Sequence, residues 1–170
     1  KMKFEKPTKY LFIKNKINNF ELEKTSFKVN YKKNKKILIN LSGKYRFNEK
    51  LLQKFNFKNL FDANSQELSI SGDFGNEIDI PLINYNSKNK TVSINTELDI
   101  NKDLINVKRF NLREDKNKIE IKNLSVKNKV LLKFDNILVK TLKNGKYNNN
   151  FSLNFSKKIK LKGLKYDASN

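Results

Sequence analysis

Three observations predict an all-β fold: a long antiparallel sheet, strongly twisted or curled into an open groove or taco-like trough, with at most one or two short helices. Runs of about ten residues alternate apolar and polar, the period of a strand with one greasy face. Polar turns built on Asn, Lys, Asp or Gly recur every ~12 to 16 residues, the spacing of an all-β architecture. Several runs change phase midway, which reads as β-bulges that bend and coil a sheet. The 170 residues read as one β-rich segment, 1–170, of a longer protein, with 1–19 unassigned and 20–170 repetitive.

In the first stretch Pro7 disfavours helix just before it, and Tyr10-Leu11-Phe12-Ile13 fits a short strand. Phe20 and Leu22 then give way to Phe27, Val29 and Tyr31, with a slip near Thr25. After Lys33-Asn34-Lys35-Lys36 comes the cleanest strand, with Ile37, Ile39, Leu41, Gly43, Tyr45 and Phe47 on one side. Asn48 can cap a short helix through Leu51, Leu52 and Phe55, followed by a polar connection over 62–66. Strands resume with Leu68, Ile70, Gly72 and Phe74, then Ile78, Ile80 and Leu82, where Pro81 places the strand at an edge or a bulge. Val92, Ile94, Thr96, Leu98 and Ile100 form the next strand. Ile105 and Val107 slip into Phe110 and Leu112, and Ile119 and Ile121 into Leu124 and Val126. Residues 130–142 form a denser strand, and Asn144-Gly145 predicts a type I′ hairpin leading to Tyr147, Asn149, Phe151, Leu153 and Phe155.

Composition narrows the function. Without His or Cys there is no imidazole base, thiolate nucleophile or usual transition-metal ligand, so no metal site is expected. Glu77/Asp79 and Glu97/Asp99 alternate with apolar residues and so point to solvent rather than forming an acid–base pair, and no enzymatic role is expected. The five glycines form no phosphate-cradling loop. Lys and Arg number 37 against 17 Asp and Glu, a net +20, yet all but Arg46, Arg109 and Arg113 are Lys. Bidentate recognition of phosphate and guanine calls for Arg, so nucleic acid is an unexpected partner, and the Lys, Asn, Ile and Phe excess reads as the imprint of A+T-rich codons. The stripe Lys158, Lys160 and Lys162 reads as a solvated face whose lysines keep edges from pairing. Asn-X-Ser triplets at Asn40, Asn123, Asn150 and Asn154 fall inside strands and are discounted as glycosylation sites.

The apolar face remains. Its expected lining is Ile37, Ile39, Leu41, Leu68, Ile70, Ile78, Ile80, Val92, Ile94, Leu98, Phe151, Leu153 and Phe155. If no second layer covers it, an acyl chain can occupy it, each methylene removed from water contributing ~0.8 kcal/mol.

The cadence of Leu98-Asp99-Ile100-Asn101-Lys102-Asp103-Leu104-Ile105-Asn106-Val107-Lys108-Arg109-Phe110-Asn111-Leu112, strand, polar turn, and strand ending in a phase slip, resembles the AsmA-like proteins of Gram-negative envelopes, of the YhdP and TamB types. The stretch Leu161-Lys162-Gly163-Leu164-Lys165-Tyr166-Asp167-Ala168-Ser169 is similar to one in YhdP-like central regions. The resemblance implies a periplasmic lipid-binding groove, an inner-membrane anchor outside this chain, and phospholipid movement toward the outer membrane, with no catalytic residues and no cofactor. Two other classes remain open: a structural or adhesive β-sandwich with a closed core, and a basic module binding an anionic surface or nucleic acid.

Overall fold

The computed structural model describes residues 2–10, 13–32, 35–48, 50–75, 77–87 and 90–155, with side chains described from Ile17 onward. The strands are β1 (Met2–Tyr10), β2 (Ile13–Tyr31), β3 (Ile37–Phe47), β4 (Gln53–Phe61), β5 (Ser65–Phe74), β6 (Asp79–Ile80), β7 (Tyr85–Asn86), β8 (Val92–Asn101), β9 (Leu104–Glu114), β10 (Asn117–Lys127), β11 (Val130–Lys133), β12 (Asn136–Lys143) and β13 (Lys146–Asn154). All but β6 and β7 join one antiparallel sheet in the order β1-β2-β3-β4-β5-β8-β9-β10-β12-β13, with β11 also on β10. The protein is therefore all-β, as expected. The sheet is neither closed nor strongly curled.

Local chemistry explains the meander. Asn144 and Gly145 both have positive φ (52° and 77°), the type I′ geometry that the Asn-Gly pair favours. Each expected phase slip has a physical counterpart. Between β2 and β3 the register shifts from Glu23 to Ser26, with Lys24 at φ 48°. Gly43 makes room for that bulge, since a Cβ there would lie 2.9 Å from the Thr25 Cα. Between β8 and β9 the register shifts at Leu98, leaving Lys108 as the extra residue, and Asn123 takes φ 52° in β10.

Four expectations are corrected. The described residues among 48–55 form no helix: Asn48 turns the chain with φ 51°, its Oδ1 accepting from the backbone N–H of Asn18 (2.8 Å) and Asn19 (3.2 Å). From Gln53 the chain is strand β4, because Phe55, Phe57 and Phe61 keep a period of two and β3 and β5 offer ladder partners on both sides. The helical spacing of Leu51, Leu52 and Phe55 is outweighed by two sets of strand hydrogen bonds. Tyr10 pairs with Ile13, so 10–13 is the end of the β1–β2 hairpin rather than a strand of its own; Leu11 and Phe12 lie outside the described residues.

Ile78, Ile80 and Leu82 do not form a strand of the large sheet. Residues 77–87 fold as a small flap, β6 and β7 joined by a 3-10 turn at Pro81–Ile83, and Leu82 is exposed at its tip. Pro81 suits the first position of that turn, where no N–H is needed. The dense strand expected over 130–142 is split into β11 and β12 by buried Phe134 and by Asp135, whose carboxylate accepts from Asn123 Nδ2 at 2.6 Å. Residues 156–170, with the stripe Lys158, Lys160 and Lys162 and the quoted stretch 161–169, lie outside the described residues.

The antiparallel order defines two ends. At the flap end lie the connections after β3, β5, β9 and β12; at the opposite end lie the turns after β2, β4, β8 and β10. The main buried cluster sits at the flap end, where Ile78 and Tyr85 of the flap pack with Val92, Leu112, Ile119 and Val139 of the sheet. A second, aromatic cluster centres on Tyr45. Its ring lies 5.2 to 6.4 Å from those of Phe20, Phe47, Phe55 and Phe74, and its hydroxyl donates to the Asp73 carbonyl at 2.7 Å.

Candidate functional site

Cross-strand partners in an antiparallel sheet project to the same face, so the register alone assembles the site. One row runs Tyr31, Ile37, Phe61, Gln66, Ile100, Ile105, Val126, Leu131. The next is Val29, Ile39, Asn59, Leu68, Leu98, Val107, Leu124. A third is Phe27, Leu41, Phe57, Ile70, Thr96, Phe110, Ile121, Ile137, Leu153. Nearest the flap comes Gly43, Phe55, Gly72, Ile94, Leu112, Ile119, Val139, Phe151. With strands ~4.8 Å apart, the second row alone is about 29 Å long, roughly twice the ~15 Å hydrocarbon depth of one leaflet.

Ten of the thirteen expected lining residues share this face: Ile37, Ile39 and Leu41 on β3, Leu68 and Ile70 on β5, Val92, Ile94 and Leu98 on β8, Phe151 and Leu153 on β13. Ile78 and Ile80 sit instead on the flap that covers part of it. Phe155 lies just past β13, its ring 4.3 Å from that of Phe134. Cover is uneven. Val92, Leu112, Ile119 and Val139 are buried under the flap, and Ile94, Phe110 and Ile137 pack against that cluster. Toward the opposite end Ile37, Ile39, Leu68 and Leu98 are only half-buried, and Val29, Tyr31 and Ile105 are exposed.

The flap is held by polar ties. The Tyr85 hydroxyl donates to Glu114 Oε2 at 2.9 Å, and the same oxygen accepts from Asn117 Nδ2 at 2.9 Å, with Lys90 Nζ 3.7 Å from the other carboxylate oxygen. Burial, then the hydrogen bond and charge of Glu114, push the Tyr85 hydroxyl well above its ordinary pKa, which keeps it a donor. From β13, Asn148 Nδ2 donates to the Asn84 carbonyl (3.0 Å) and Asn149 Nδ2 to that of Ile83 (2.5 Å). Sequence reasoning missed the structural role of Glu114. Its signal was a carboxylate in phase with Phe110 and Leu112.

Behind this face lies a polar one. Lys108 pairs with Asp99 at 2.8 Å, and Glu120 with Lys118 at 2.9 Å and Arg113 at 3.4 Å. Partial burial opposes ionisation of Glu120, but its bonds to Lys118 and Arg113 outweigh that and hold the carboxyl below the usual range. Glu97 and Asp99 share a shallow hollow of about 290 Å³ with Lys58 and Lys108, an ion-paired surface rather than an acid–base constellation. Among the described residues no group of three or more Asp or Glu is placed to hold a metal ion, and no helix is long and apolar enough to cross a membrane.

Asn59 and Gln66 break the apolar rows. Both line a hollow of about 350 Å³ at the end opposite the flap, with Phe61, Ile100, Lys102 and the turn 62–65. Asn59 Oδ1 is buried without a hydrogen-bond partner among the described residues. The sequence signal was there, a polar residue in apolar phase between Phe57 and Phe61, but sequence reasoning passed over it.

No family model, curated protein or solved structure matches this chain.

Proposed function

We propose that this chain is a non-enzymatic lipid-binding segment of an AsmA-like envelope protein, taking part in phospholipid transport between inner and outer membrane. It acts in the periplasm, tethered by an inner-membrane anchor outside this chain, and needs no cofactor. The observation that carries the reading is the set of mostly apolar rows, spanning seven to nine strands and, among the described residues, covered by the flap at one end. An apolar patch of that extent is uncommon on a protein with nothing to bind. An acyl chain of about 14 to 16 carbons laid along a row gains on the order of 10 kcal/mol before ordering costs. Curling of the sheet into a groove belongs to this proposal, as a response to loading, and the bulges at Lys24, Lys108 and Asn123 supply the places to bend.

The test is lipid co-purification read by mass spectrometry. Ile94 borders the flap cluster, so a charge there would probe folding as much as binding. Ile39→Asp and Leu68→Asp lie on the half-buried part and carry the test, with outward Lys58→Ser as control. Both Asp variants are expected to lose bound lipid while keeping a wild-type β spectrum, and the control to retain it. Full lipid retention by both folded Asp variants overturns the reading.

A further inference from the structure

A face made only of aliphatic and aromatic side chains holds hydrocarbon without telling one end of an amphiphile from the other. Asn59 and Gln66 end that indifference. Asn59 pairs with Leu68 and Gln66 with Phe61, so the two amides are diagonal neighbours on β4 and β5, ~7 to 8 Å apart at the backbone. They line the same open hollow of about 350 Å³, together with Lys102 in the turn after β8. The hollow is continuous with the rows of Ile39, Leu68 and Leu98 through Asn59 itself. Asn59 is in its wall, and the Oδ1 of that amide is buried with no hydrogen-bond partner among the described residues. Such an acceptor weakens the fold unless it is used, because its desolvation is not offset by a hydrogen bond.

We infer that this hollow is the head subsite for a hydroxyl-bearing amphiphile of the acylglycerol class, its hydrocarbon lying on the rows of Ile39, Leu68 and Leu98. A hydroxyl both donates and accepts. It therefore satisfies Asn59 once that amide rotates to face the hollow, through its O–H if the oxygen is presented and through its lone pair if the amide is turned over, an orientation fixed only by the partners. The Gln66 amide offers a second donor and acceptor for a neighbouring hydroxyl or an ester carbonyl. Asp62 and Lys102 both line the hollow, so its formal charges balance and a neutral head suits it best. The head thus sits at the end opposite the flap, and the flap closes the other end of the face. The inference rests on the hydrocarbon reading above and adds to it a polarity and a head chemistry.

Titration of the full chain with monolauroylglycerol and with methyl laurate, which share an acyl chain and differ in the hydroxyls, tests it. Wild type is expected to prefer the glyceride by about tenfold, about 1.4 kcal/mol. Asn59→Leu is expected to bring the two esters to equal affinity, since leucine offers the glyceride hydroxyl no hydrogen bond. Gln66→Leu is expected to reduce the preference in part. If both esters bind and wild type does not discriminate, or if Asn59→Leu keeps the full preference, the head subsite is refuted while the hydrocarbon reading stands. If neither ester binds, the hydrocarbon reading itself fails and takes this inference with it.

Discussion

Tyr85→Phe removes one hydroxyl and leaves the ring, which makes it the sharpest probe of what closes the flap. The bond lost is that from Tyr85 to Glu114 Oε2 at 2.9 Å, between groups only 2% and 4% exposed. A hydrogen bond to a charged group is worth ~1.5 to 3 kcal/mol. Glu114 is not stranded by the change, because Asn117 Nδ2 still donates to it and Lys90 remains nearby. The flap also keeps its ties from Asn148 and Asn149 and the burial of Ile78, so closed remains its ground state. What changes is how often it opens: 1.5 to 3 kcal/mol is about 10- to 150-fold in the opening equilibrium. Hydrogen exchange reads this directly at the Ser87 N–H, which donates to the Ile78 carbonyl at 3.0 Å, and at the Ile78 N–H, which donates to Ser87 Oγ at 2.9 Å. Those amides are expected to exchange faster by that factor, while Phe57 in β4 keeps its wild-type rate. Unchanged exchange at Ser87 and Ile78 would show that the Tyr85–Glu114 bond does not hold the flap.

Two further outcomes follow from close contacts and from charge. A Cβ at Gly72 would meet the Lys54 carbonyl oxygen at 2.6 Å and the Phe55 Cα at 3.2 Å, both backbone, whereas one at Gly75 meets only the Gln53 side chain. Gly72→Ala is therefore expected to cost ~1 to 3 kcal/mol in urea unfolding, and Gly75→Ala less than about 0.5 kcal/mol; equal stabilities would sink the packing account. Asp62 accepts from the backbone N–H of Asn64, from the Ser65 hydroxyl and from the Ser65 N–H, which together with Lys36 hold its carboxyl below its ordinary value of 3.8 despite some desolvation. Its folded pKa lies below the unfolded one, so the turn's stabilisation is present above pH 3.8 and fades as pH falls through the folded value. The amide resonances of Asn64 and Ser65 are expected to move in that acid range and to lose the transition in Asp62→Ala; a transition that persists in the variant would assign it elsewhere.

Most of the strand plan was legible because a half-buried strand writes its period into the chain. The bulges near Thr25, Lys108 and Asn123 were visible as phase slips, and the hairpin at Asn144-Gly145 as a turn that only positive φ allows. The reading failed where a local pattern fitted two states. Leu51, Leu52 and Phe55 fit a helix by spacing, and only neighbouring β3 and β5 decide for strand β4. Likewise Ile78, Ile80 and Leu82 alternate like a strand, but Pro81 in a 3-10 turn folds them back over the sheet.

By itself the sequence determined that the protein is a meander of antiparallel strands with one apolar face, since side-chain alternation and turn chemistry are local properties. Tertiary structure alone decided which part of that face is covered, because the Tyr85–Glu114 bond and the burial of Ile78 join residues on separate elements. It also decided that Asn59 and Gln66 meet in one hollow, a matter of register between two strands. Period tells a residue which side to face; only pairing tells it what it faces with.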